Sequence, residues 1–176
     1  IFFLVYAVLA KASAYLPFPW NLCVISVLFL GSVRLALFFF DMMFPGVNLL
    51  SRAMDHLPPD MKDAVALTFD DGPVDPYTRQ VLDVLDRYDA KGTFFCLGQN
   101  IEQHPELAQE IVRRGHTLGN HSYSHRVLPF LSSNECRQEL ERSAAAIERV
   151  IGKKPTLVRT PKGYKSRRVA RILRGL

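Results

Sequence analysis

The chain has 176 residues, 48% of them hydrophobic, and 22 Lys+Arg against 17 Asp+Glu give a formal net charge of +5. Residues 1–50 hold only Lys11, Arg34 and Asp41 as charges, whereas the remainder reads as an ordinary globular sequence. Cys23, Cys96 and Cys136 share no C-x-x-C spacing, which argues against a disulfide scaffold or a cysteine zinc module and leaves packing as their role.

Residues 1–16 form an apolar segment interrupted by Lys11 and ended by Pro17-Phe18-Pro19-Trp20, a Pro-aromatic turn suited to a membrane interface. Residues 21–40 are apolar for about twenty positions with Arg34 as the one interior charge, long enough to span a bilayer. A buried core helix is the soluble alternative, but no flanking sequence could cover so apolar a rod. A cleavable signal peptide is another, but it lacks a charged leading region and a small-residue cleavage site. Residues 1–43 are therefore expected to anchor the chain in a membrane, as a two-span hairpin rather than a single helix. Residues 44–60, with Pro45-Gly46 and Pro58-Pro59, read as a linker, and 61–176 as the soluble domain.

In that domain strands are expected at 64–69, 92–97, 116–119 and 156–160. Helices are expected at 76–88, 105–114, 132–151 (with Ser133 as its cap) and 166–173. The alternation makes an α/β fold, a parallel sheet with helical crossovers, whose site lies at the carboxyl ends of the strands. A basic cluster near the end (Lys162, Lys165, Arg167, Arg168, Arg171, Arg174) reads as a solvated helix face, with no nucleic acid implied.

Three expected strand ends carry reactive side chains. The first ends in Thr68-Phe69-Asp70-Asp71-Gly72-Pro73, where the turn exposes two carboxylates that repel each other unless a cation sits between them. The third leads into His121-Ser122-Tyr123-Ser124-His125, whose imidazoles at i and i+4 are expected to project on one face of a helical turn, suited to one divalent ion. Two histidines and one aspartate leave coordination positions open for water and substrate, as in catalytic metal sites. The fourth ends in Val158-Arg159-Thr160-Pro161, where Arg159 can grip a neighbouring carboxylate by bidentate hydrogen bonds. Each motif alone has a bland reading as a polar turn; three together do not.

With TFF at 93–95 and GHTLGNH at 115–121 between them, these motifs resemble the NodB-homology polysaccharide deacetylases, carbohydrate esterase family 4, over about residues 60–176. The resemblance implies a distorted (β/α) barrel, of which this chain would be the N-terminal portion, about four βα units, preceded by one or two transmembrane helices. It implies Asp70 as general base and Arg159 as the group orienting it. Asp71, His121 and His125 would be ligands of a divalent metal, most often zinc, and Pro161, Gly163 and Tyr164 would line the substrate pocket. Members hydrolyse N-acetyl groups on amino sugars, and some remove O-acetyl or N-formyl groups.

Lys162 stands where the family usually has an aromatic residue, and Tyr164 follows Gly163. The family's later Asp/Trp motif and the Leu…His motif that supplies a general acid do not occur within the 176 residues, so the expected protein is a fragment or a truncated enzyme. The leading expectation is a membrane-anchored, metal-dependent deacetylase acting on an N-acetylated glycan outside the cytoplasm. The alternatives are a non-catalytic relic that binds metal or glycan, and a deformylase or O-deacetylase on the same scaffold.

Overall fold

Trp20–Met43 form a continuous helix, α1, of 24 residues. No proline interrupts it, and at 1.5 Å per residue it is about 36 Å long. Its stretch Leu22–Phe40 has mean hydropathy 2.3 and none of it is buried, so it is long and apolar enough to cross a membrane and is not a core helix. Ser32 Oγ donates to the Phe29 carbonyl at 2.7 Å, which satisfies one of the few polar side chains on this rod.

The computed structural model describes residues 7–9, 11–12, 15, 18, 20–43, 64–164 and 166–175. Residues 7–9 and 11–12 are helical; the rest of the expected first span and the expected linker at 44–60 lie outside the described residues. The chain divides into two units, Ile1–Phe44 and Pro45–Leu176.

In the second unit three parallel strands, β1 Leu67–Gly72, β2 Gly92–Cys96 and β3 Thr117–Asn120, lie in the order β1-β2-β3. They alternate with α2 (Tyr77–Arg87), α3 (Gly98–Gln103), α4 (Pro105–Arg113), α5 (Ser133–Ile151) and α6 (Arg167–Leu173). Apolar side chains at helical spacing on α2 and α4 cover the sheet, and Leu82, Phe94, Leu107, Ile111, Leu118 and Ile147 close the main core. A second cluster around Leu128, Leu140 and Val169 joins α5 to α6.

Four sequence expectations change. The first strand begins at Leu67, because pairing starts at Leu67↔Gly92; residues 64–66 are unpaired and Val65 is 84% exposed. As the sheet edge among the described residues, β1 has only Phe69 and Gly72 even half-buried. The expected fourth strand shrinks to a single parallel bridge, Asn120↔Val158, between Pro155 and Pro161, neither of which can donate to a ladder. The helix α3 was not expected, since GQNIEQ has Ile101 as its one apolar residue and no period to read. Ser132, not Ser133, caps α5: Ser132 Oγ accepts the Glu135 N–H at 3.3 Å and Glu135 Oε2 accepts the Ser132 N–H at 2.9 Å, a reciprocal capping box.

Candidate functional site

The expected site residues gather at the carboxyl ends of β1 and β3, beside the Val158 bridge. At the end of β1 the register jumps from Asp70↔Phe95 to Gly72↔Cys96, and Asp71, left over in this bulge, has φ 66°. Neighbours on a regular strand point to opposite faces; a bulge re-aims one of them. The Asp71 carbonyl accepts from Asn100 Nδ2 at 2.8 Å, which ties the bulge to α3.

The segment 121–125 is irregular, not the helical turn expected from the i, i+4 spacing, and Ser122 (φ 66°) and His125 (φ 61°) are both left-handed. The two rings nevertheless meet, with centroids 5.2 Å apart. His121 is buried, and its Nδ1 lies 2.8 Å from the Arg159 carbonyl. A carbonyl only accepts, so Nδ1 carries the proton and the Nε2 lone pair faces outward. That Nε2 stands 3.5 Å from Asp71 Oδ1, and His125 Nε2 stands 3.3 Å from the same oxygen.

These separations exceed a normal hydrogen bond. They fit a shared cation, because ligand atoms about 2.1 Å from a tetrahedral ion are about 3.4 Å from one another. All three donor atoms lie within 4.8 Å of each other, and among the described residues this is the group of His, Cys and acidic side chains so arranged. Asp71, His121 and His125 thus fit a divalent ion, with a backbone carbonyl orienting one imidazole as in known metal centres.

Arg159 connects the metal-type cluster to Asp70. Its backbone carbonyl holds His121, while Nη1 donates to Asp70 Oδ1 at 2.7 Å and to Thr68 Oγ1 at 3.0 Å. The grip on Asp70 is therefore single-point, not bidentate, since Thr68 shares the donor. The guanidinium lies over the Phe95 ring, 4.2 Å from its centroid. Asp70 and Arg159 remain accessible, at 38% and 37% side-chain exposure, and Asp71 more so at 63%.

Pro161 is buried at the start of a 3-10 turn, Pro161–Gly163, in which Lys162 and Gly163 take φ 60° and 68°. The Gly163 N–H donates to the Thr160 carbonyl (3.1 Å) and the Tyr164 N–H to the Pro161 carbonyl (3.3 Å). The Gly163 and Tyr164 N–H groups are thus engaged within the turn.

Two further titratable groups do not join the cluster, Cys96 at the carboxyl end of β2 and His116 at the opposite, amino end of the sheet. Cys96 is fully buried, and burial followed by the charge of Asp70 pushes its thiol far above the ordinary value, which keeps it protonated and inert. His116 packs on Phe94 and accepts the Gly92 N–H; burial lowers its affinity for a proton.

Residues 58–176 match the polysaccharide deacetylase family. The chain belongs to that family. Within it, the chain is 40% identical over 105 residues to a peptidoglycan-N-acetylglucosamine deacetylase of Bacillus cereus, covering 60% of this chain and 38% of that protein. It is 42% identical over 99 residues to the peptidoglycan-N-acetylmuramic acid deacetylase PdaC of Bacillus subtilis, covering 56% of this chain and 21% of that one. The solved structure of PdaC superposes with a TM-score of 0.58 at 40% identity, over 59% of this chain and 52% of that chain. A wild-type pseudoenzyme of the same family from Bacillus anthracis superposes at 0.62 with 30% identity, over 65% of this chain and 41% of that chain. The chain therefore spans about half or less of the proteins it matches, and its three-stranded sheet is part of the (β/α) barrel fold.

Sequence reasoning on this deacetylase-family chain passed over Thr68, Phe95, Asn100, Asn120 and Glu139, all of which touch the site residues or their loops. Thr68, Phe95 and Asn120 stand inside the quoted motifs with no role read for them, Asn100 lies five residues past TFF, and Glu139 sits on α5 with no local signal at all.

Proposed function

We propose that the chain hydrolyses N-acetyl groups on amino sugars of a polysaccharide, peptidoglycan being the favoured case, with a divalent ion held by Asp71, His121 and His125. The observation that carries this reading is the convergence of those three side chains beside an Arg159-held Asp70. The peptidoglycan assignment leans on relatives named as peptidoglycan deacetylases. Zinc suits two imidazoles and a carboxylate, and when bound it would polarise the acetamide carbonyl and lower the pKa of a water molecule.

The chain's own residues supply the rest. Asp70 accepts the proton of the attacking water, and Arg159 keeps that carboxylate turned toward the site. The Arg159 carbonyl keeps the His121 Nε2 lone pair pointed at the cluster, so one residue aligns both the base and a ligand. Pro161 and Tyr164 form the wall against which the sugar packs. The products are acetate and a free amine.

The α1 helix anchors this activity at a membrane with the second unit facing outside the cytoplasm, where peptidoglycan lies. Alkaline carbonate extraction tests this, and release of the chain into the soluble fraction would sink it. Acetate release from an N-acetylglucosamine oligomer with added zinc tests the activity, and the Asp70→Asn variant should be silent. One observation favours a second, non-catalytic reading: a pseudoenzyme is among the chain's structural relatives. Zinc binding without acetate release by the full-length protein would select it.

A further inference from the structure

We propose that Glu139, on α5, is a positioning residue that holds the His121/His125 loop in shape and thereby sets how tightly the chain binds its divalent ion. This rests on the reading of Asp71, His121 and His125 as the ligands.

The loop needs such a restraint. Ser122 and His125, two of its five residues, have positive φ, a conformation that disfavours residues with a side chain by about 1–2 kcal/mol each. Such backbone persists only where its surroundings over-determine it. The carbonyl side of the loop is held by α3: the Gly98 and Gln99 N–H groups donate to the Ser122 and Tyr123 carbonyls at 3.0 and 3.2 Å. Only glycine fits at 98, since a Cβ there would lie 2.8 Å from Ser143 Cα on α5.

The N–H side is held by Glu139. Its Oε2 accepts the Tyr123 N–H at 3.1 Å and the Ser124 N–H at 2.9 Å, and its Oε1 accepts Ser124 Oγ at 2.7 Å. All three donors belong to residues between the two histidines. Asn120 adds a second tie to the same helix, accepting the Ser122 N–H at 2.8 Å and donating to the Leu140 carbonyl at 3.0 Å.

A carboxylate suits this arrangement, because each of its oxygens can accept. Glutamine could keep both N–H groups on its carbonyl oxygen and donate its NH2 to Ser124 Oγ, so alanine, which removes all three bonds, is the informative substitution. Glu139 has no contact with either imidazole among the described hydrogen bonds, so it acts through the loop. The consequence is that α5, capped at both ends by Ser132 and Gly152, serves as the rigid template on which the histidine spacing is set.

The test is zinc affinity of the full chain in detergent, by competition with a chromophoric chelator. Glu139→Ala is expected to weaken binding about 10- to 100-fold and to shift the visible absorption bands of the cobalt-substituted protein. Ser124→Ala, which removes one of the three bonds, should give a smaller loss in the same direction. Arg142→Ala removes a hydrogen bond to the Tyr123 hydroxyl and a stacking contact on its ring without touching the loop backbone; it should lower the thermal midpoint and leave zinc affinity unchanged.

Affinity of Glu139→Ala within about twofold of the parent would overturn the proposal, as would an equal loss in Arg142→Ala. If Glu139→Ala does not fold, Ser124→Ala decides, and an unchanged affinity there overturns it. A parent chain that binds no zinc would overturn the ligand reading itself and this inference with it.

Discussion

Two polar clusters in the second unit use the same kinds of side chain to opposite ends. Around Arg114, which follows α4, donors and acceptors match. Its guanidinium reaches Asp83 and Asp86 of α2 at 2.8 Å each and also bonds Glu110, while Arg79 closes on Glu110 from the other side. Arg114 is held more firmly protonated by Asp83 and Glu110, and Glu110 is pulled below the usual carboxylate range by Arg114. Around Asp71 the side chains converge without closing on one another: the His121 and His125 Nε2 atoms stand 3.5 and 3.3 Å from the same Asp71 oxygen. A cluster that satisfies itself holds two helices together; one whose ligand-type atoms converge at this spacing fits a cation.

The severest test of that contrast is Asp71→Ala or His125→Ala, either of which should cut zinc affinity by more than about 100-fold with the fold intact by circular dichroism. Parent-like binding in both would reduce the site to an ordinary polar cluster. Arg114→Ala should do the reverse, costing about 1–3 kcal/mol in denaturant unfolding because Glu110, only 11% exposed, loses its main partner. Its zinc affinity should stay that of the parent, and a loss there would break the comparison.

Gly119→Ala probes the coupling between core and site. A Cβ at 119 would lie 2.6 Å from Phe95 Cδ1, and the Phe95 ring carries the Arg159 guanidinium. Overpacking of about 1–3 kcal/mol is expected, with a fall in turnover larger than the fall in zinc affinity, read from parallel kinetic and binding titrations.

The smallest effect is at the α5 cap, where Ser132→Ala should cost about 1 kcal/mol. Glu135 is held down at about 2 from an ordinary 4.5 by the Ser132 hydroxyl first, then the Ser132 backbone N–H, then Arg126. A depressed carboxylate stabilises the fold above its unfolded value, and that stabilisation fades as pH falls from about 4.5 toward 2. Thermal midpoints measured across this window should fall less steeply in Ser132→Ala than in the parent.

Much of the site was legible because its motifs are local. Asp70 and Asp71 adjoin a Gly-Pro turn, and His121 and His125 bracket three residues. The helical turn invoked to bring the histidines together was mistaken, although the rings do meet, because side-chain and backbone anchors on α3 and α5 impose a left-handed path that spacing cannot reveal. The fourth strand was overread from a short run of β-forming residues, and α3 was missed for want of a period. Glu139 could not be read at all, since what singles it out is the loop it faces 15 and 16 residues away.

By itself the sequence determined the apolar helix α1, the family motifs and the S-x-x-E box that starts α5, all of which depend on neighbours within a few residues. Only the tertiary structure decided how the bulge turns Asp71 toward the imidazoles, which described strand is the edge, and that Arg159 holds His121 with its backbone while its side chain holds Asp70. The reason is range. Arg159 lies 89 residues from Asp70 and 38 from His121, so its two roles exist only once the sheet and its crossovers have brought the strand ends together.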